Sequence, residues 1–266
     1  MLEYSEGKFL KQKPVGKDTC NRHGKRLGKV IGVPTHVEYI VRIDGKGEGE
    51  ENLENEDYSL GNFVAISPIC SKVIVGVISD TILVDSEYSR YGLQLSDRDE
   101  ILKFAPDYLE EKSTMVKIIA LGFFELENKT GKGRVKETEK DTIMEEKKDR
   151  GEEKREEREL KEIYEEIMER NPSHEVCPVC PEIGSSVYLL GEKEIKRFHT
   201  QVKDDREEMM MGYLGLLISR KDILSQSLAK LLLKKLIVLF PENRGVFEML
   251  CKNIEHKMKI EGAHAR

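Results

Sequence analysis

The sequence has no apolar run long enough to cross a bilayer. Its most apolar stretch, 228–240, is broken by Lys230, Lys234 and Lys235, and it falls short of the ~20 residues that a spanning helix requires. No apolar segment near the amino terminus resembles a secretion signal. Cysteine is sparse: five residues, an odd number, without the dense spacing of a disulfide-stapled domain, which points to a reducing compartment. A soluble, cytoplasmic protein with no membrane contact is the expectation. The chain also lacks a positive balance. Its formal charge is -6, which argues against a generally basic surface for nucleic acid. No Ser/His/Asp set and no carboxylate pair can be assembled from the sequence into a catalytic site, so no catalytic residue is assigned and the protein is not expected to be an enzyme.

The 266 residues, 38% hydrophobic and 35% charged, suit two small folded units better than one large one. Charge is unevenly spread. Residues 132–170 carry 27 charged side chains in 39 positions, too polar a stretch to bury the apolar area that would offset its ordering entropy. This segment, 128–172, reads as a charged linker or exposed helix ending in an apolar stripe of Leu160, Ile163, Tyr164, Ile167 and Met168, either a partner-seeking coiled segment or a solvated spacer whose last helix docks on its own chain. Residues 1–26 form a basic segment. Lys8, Lys11, Lys13, Lys17, Arg22, Lys25 and Arg26, with Lys29 just beyond, have few acids between them; they form a solvated tail or offer nucleic acid or an acidic partner a place to bind.

From 27 to 127 the text consists of short β-branched runs separated by glycines and polar turns, the punctuation of strands. Residues 37–43 alternate apolar and polar side chains, as a strand with one buried face does. Residues 62–66 and 72–78 form hairpin neighbours, with Pro68 and Ser71 in the turn between them. Residues 115–124 supply the last strand, after a short helix over 97–109. Such a series predicts an antiparallel β-barrel that leaves no free edge. Residues 173–266 read as an α-helical domain. There, Ser219 and Asp222 have the spacing of a capping box, and the helix that follows presents Leu224, Leu228, Leu231, Leu232, Leu236 and Leu239 on one face until Pro241 ends it. A last helix from Gly245 carries Val246, Phe247, Leu250, Cys251 and Ile254 at helical spacing. Leu233, Ile237 and Val238 fall on other faces and suggest an oligomer contact. The fold class is α+β multidomain: a barrel, a charged helical linker and a helical domain.

LGKVIGVPT at 27–35, the alternating strand after it, LGNFVAI at 60–66, VGVI at 75–78 and MVKIIALG at 115–122 resemble, in order and spacing, the HAS-barrel. That domain precedes the motor of HerA-type DNA-translocating ATPases and has a counterpart in ATP synthase catalytic subunits. Gly61 in a turn and Gly76 in a sharply bent strand are positions where such a barrel needs no side chain. The resemblance implies a non-catalytic binding or assembly module, an accessory in DNA processing or repair. In that family the barrel helps to assemble a ring of subunits and, in HerA, offers a docking face to the NurA nuclease. It implies as partners a HerA-type ATPase, a NurA-type nuclease or further copies of the chain, docking near Gly61 to Gly76. The motor itself is missing from the resemblance. The nearest string to a phosphate-binding loop, NKTGKGR at 128–134, lacks the GxxxxGK[ST] spacing and leads into the charged stretch.

Cys177-Pro178-Val179-Cys180 resembles half of a rubredoxin or zinc-ribbon knuckle, in which a tight turn aims two thiolates at one tetrahedral ion. Cys20 and His23 form a second pair, and the four together make a three-sulfur, one-nitrogen set suited to structural zinc; His174 or His199 are substitutes. The alternative function is therefore a zinc- or thiol-containing protein acting as a nucleic-acid adaptor or in redox chemistry. The plainer reading makes these cysteines ordinary loop residues, and no βαβ pattern surrounds them to support a thioredoxin-like role. His36, His256 and His264 have no companions in the sequence. Cys70 and Cys251 sit in apolar surroundings and are expected to act as small hydrophobes.

Overall fold

The computed structural model describes residues 24–45, 53–84, 113–126, 164–165, 167–204, 206–220 and 223–264. Most of the basic segment, the helix expected over 97–109 and the charged stretch up to 163 lie outside these residues. The strands are β1 (Arg26–Thr35), β2 (Glu38–Ile43), β3 (Phe63–Ile69), β4 (Lys72–Val84), β5 (Ser113–Glu125), β6 (Pro172–Ser173), β7 (Ser186–Leu189), β8 (Thr200–Lys203) and β9 (Arg206–Met209). The helices are α1 (Glu192–Phe198), α2 (Tyr213–Ser219), α3 (Ile223–Leu239) and α4 (Arg244–His264).

Six strands form an antiparallel barrel in the order β2-β1-β7-β3-β4-β5, closed by pairing of β5 with β2. β6 extends β5, and β8 with β9 makes a separate hairpin. The barrel and the C-terminal helices expected from the sequence are both present, but the boundary between them is crossed. β7 lies between β1 and β3, pairing with each, although its residues fall within the segment read from the sequence as helical.

Side-chain periodicity explains which strands face what. In β2, Tyr39, Val41 and Ile43 are buried while Arg42 between them is exposed, the alternation of a sheet with one wet face. β3, β4 and β5 are apolar on both faces. Val64, Ile66, Ile74, Ile78 and Ile118 fill the barrel interior, whereas Phe63, Ala65, Val73, Val75 and Val77 point outward into a second hydrophobic cluster shared with the helices. A sheet apolar on both faces must be covered on both, and the C-terminal helices supply that cover.

α3 is the centre of the cover. Leu228, Ala229, Leu232, Leu233 and Leu236 are all fully buried, so its apolar surface wraps a broad arc instead of one stripe. Leu233 therefore belongs to the chain's own core, not to an oligomer contact, while Leu224 and Val238 are exposed. The ammonium of Lys235 donates to the Gly61 carbonyl at 2.9 Å and to Asn62 Oδ1 at 2.8 Å. Gly61 has a φ of +80°, and a Cβ there would stand 2.8 Å from Leu231 Cδ2, so this turn admits glycine for both backbone and packing reasons. The docking face expected near Gly61 to Gly76 is thus occupied by the protein's own helices. Gly76 sits at a register shift between β4 and β5, in keeping with its expected role in bending the strand.

The Ser219 hydroxyl donates to the Leu216 carbonyl at 2.9 Å within α2; Ser219 ends that helix, and α3 starts four residues later, so Ser219 is not its cap. The end of the charged stretch docks as expected: Tyr164 and Ile167 are buried in the outer cluster, and the Tyr164 hydroxyl donates to the Leu189 carbonyl at 3.1 Å. Cys70 is exposed because it forms, with Ser71, the two-residue turn between β3 and β4. Both residues have positive φ, 49° and 61°, the conformation of a type I′ hairpin turn, in which Asn-Gly is the favoured pair. Holding non-glycine residues there carries strain, so the double substitution Cys70→Asn/Ser71→Gly is expected to stabilise the fold by about 1 kcal/mol, read as a higher urea midpoint at unchanged slope.

Candidate functional site

The segment between β6 and β7 brings the cysteine turn to the rim of the barrel. Cys177 is buried, 1% exposed, within the barrel-interior cluster, and Val179 packs against the same cluster. Burial pushes the Cys177 thiol up in pKa, and a hydrogen bond with the Val179 backbone pulls it partly back. Cys180, half-buried, lies with its Sγ 3.1 Å from Nδ1 of His36, the residue in the turn joining β1 and β2. Tyr39 holds that turn. Its hydroxyl donates to the His36 carbonyl at 2.7 Å, and its pKa is raised by burial first and then by the neighbouring Cys180 and Cys177.

The cysteine pair expected from the sequence is therefore gathered at one place, with a partner that the sequence reading set aside. His36 stands 144 positions from Cys180, and no local pattern links them. Cys20 and His23 lie outside the described residues. Among the described residues, no group of three or more His, Cys, Asp or Glu side chains is arranged to hold a metal ion. What the corner offers chemically is a thiol in contact with an imidazole at an accessible rim, next to a second thiol that the core encloses.

His174 and His199, the proposed substitutes, are committed elsewhere. Gly212 N–H donates to His174 Nδ1 at 3.1 Å, and His174 Nε2 lies 2.8 Å from the Phe198 carbonyl. A carbonyl only accepts, so Nε2 carries the proton and the ring is neutral. His199 has the opposite tautomer: Nδ1 donates to the Ile195 carbonyl at 2.7 Å, and Nε2 accepts from the Tyr213 hydroxyl at 2.7 Å. Both rings are packed among Phe198 and Tyr213. These side chains pin α1 and α2 to the segment before β7, and every polar ring atom is in use.

An antiparallel barrel closed by a late strand and clad on one side by helices is the class of protein these features define. The model of a family described as a domain of unknown function, DUF8166, matches residues 13–146, half of the chain, and the chain belongs to that family. No curated protein matches the sequence. Among the described residues no helix is long and apolar enough to cross a membrane.

Burial lowers the pKa of His199 to about 3 and also lowers that of His174. The folded protein holds the neutral ring, while the unfolded chain takes up a proton below pH ~6.5. Stability from His199 is therefore full above that value and is lost as the pH falls from 6.5 toward about 3, by ~1.4 kcal/mol per pH unit for a single group. Urea titrations at pH 7 and pH 5 are expected to show a lower midpoint at pH 5. The paired substitution His199→Phe/Tyr213→Phe, which removes the titrating ring and its hydroxyl partner together, should flatten that dependence.

Proposed function

We propose that the protein is a non-catalytic binding and assembly module of the HerA-barrel kind, serving as an accessory in DNA processing or repair. The observation that carries this reading is the distribution of covered and uncovered barrel surface. The interior is filled by apolar side chains from its strands, and the outer face of β3–β5 is clad by the chain's own helices. The outer face of β1 and β2, with the adjoining ends of β4 and β5, is where a partner can be met.

Cross-strand register aligns Lys29, Arg42, Met115 and Ile82 in one row, and Gly32, Ile40, Lys117 and Asp80 in the next. Lys29, Arg42 and Lys117 are exposed, as is Ile31. Lys117 lies 3.6 Å from Asp80. Aliphatic area drives association, and the cations steer and orient it, so the partner surface is expected to be acidic with apolar patches, as a subunit of a HerA-type ATPase or a NurA-type nuclease would then have to be. The basic segment 1–26 is the place for nucleic acid in this reading. Biolayer interferometry of the purified protein against a HerA-type ATPase and a NurA-type nuclease of the same host should show binding to at least one, weakened tenfold or more by Ile40→Glu or Lys117→Glu. Absence of binding to both at low salt rejects the proposal.

The contact between Cys180 and His36 favours a second reading, in which the Cys177/Cys180 turn holds a structural zinc ion with further donors from Cys20 and His23. Zinc measured on protein purified under reducing conditions should then approach one equivalent and fall on Cys180→Ser. Metal-free protein, with a zinc content that Cys180→Ser leaves unchanged, counts against it.

A further inference from the structure

β7 comes to the barrel from far along the chain. β1 and β3 end at Thr35 and Ile69, whereas β7 begins at Ser186, beyond the family match, which stops at residue 146. Taken without β7, the remaining five strands have two facing edges, β1 and β3, whose backbone groups need partners. β7 satisfies both edges. Toward β1, Val30 N–H donates to the Ser185 carbonyl at 2.9 Å and Leu189 N–H to the Lys25 carbonyl at 2.9 Å; toward β3, Leu190 N–H donates to the Phe63 carbonyl at 3.0 Å. The Ser67 hydroxyl adds a bond of 3.0 Å to the Ser186 carbonyl. Val187 and Leu189 turn into the barrel and are almost fully buried. Recognition of the segment thus rests on a two-sided backbone ladder and two aliphatic anchors, which is the chemistry of strand addition.

Nothing in that chemistry requires strand and slot to belong to one molecule. Residues 127–163 connect Leu126 to Tyr164, and a chain of that length reaches at most ~130 Å, several times the width of a small barrel. We propose that the slot between β1 and β3 accepts the 185–190 segment of a second copy of this protein, so that copies exchange their C-terminal units. Every contact described above is kept in the exchanged form; only the path of the connecting residues changes, which makes exchange a low-cost route to an assembly. A tethered strand competes at an effective concentration of roughly millimolar. Dilute protein therefore fills its own slot, and exchange is expected on refolding at comparable concentration. The inference stands apart from the identity of any HerA-type partner.

The test supplies the strand in trans. Full-length Val187→Asp/Leu189→Asp protein, whose own strand can no longer enter the barrel, is titrated with the synthetic peptide IGSSVYLLG, residues 183–191. The peptide is expected to raise the Tm of the variant saturably and to leave dilute wild type unchanged, while the same peptide with both anchors replaced by Asp does nothing. If the Asp variant does not fold, Val187→Ala/Leu189→Ala serves in its place. Wild type refolded at ~1 mM should yield a dimer by light scattering that the Asp variant does not form. Equal stabilisation by the control peptide, no stabilisation of either variant, or wild type that stays monomeric after concentrated refolding overturns the proposal.

Discussion

Burial of both faces of β3, β4 and β5 is the constraint from which the remaining architecture follows. A barrel of six strands needs apolar side chains only on its inner surface. Here three adjacent strands also carry Phe63, Val73, Val75, Val77, Ile119 and Leu121 on the outer one, and that area has to leave water. The C-terminal helices meet the requirement, with α3 seated deepest, and polar contacts then fix their position. Lys235 reaches the turn at Gly61, while the two histidines hold α1 and α2 in register with the segment that leads into β7. Barrel and helices consequently share one outer core.

Much of the barrel was legible because period-two alternation and glycine placement are local signals. The alternation in residues 37–43, the hairpin over 62–78 and the special standing of Gly61 and Gly76 all correspond to structural features. β7 was not legible. Only four residues long, it follows a proline- and cysteine-containing turn, and nothing in its own composition says that its partners lie more than a hundred residues earlier. The docking face was misplaced for a related reason: an unbroken apolar strand announces that both its faces are covered, but not by what. The exposure of Cys70 was missed because an apolar neighbourhood in sequence became a hairpin tip in space.

The histidines separate into two kinds that residue type alone does not distinguish. His174 and His199 are interior cross-braces, each with one nitrogen donating and one accepting, and the hydrogen bonds dictate which. Their burial would be costly were either bond missing, since an unpaired polar atom in the core forfeits its hydration without recompense. His36 is at the rim, where Cys180 and the backbone anchor from Tyr39 define its surroundings. The contrast explains why the cysteine turn, and not the buried histidine pair, is the part of this region with reactive groups at the surface.

The late arrival of β7 also bears on how the protein is made. When β5 emerges from the ribosome, five strands can pair, but the strand that seals them lies some 60 residues further along the chain. At the usual elongation rates of about 5–20 residues per second, that interval lasts roughly 3–13 s. Until it has passed, the outer apolar side chains of β3–β5 lack the helices that cover them in the folded protein.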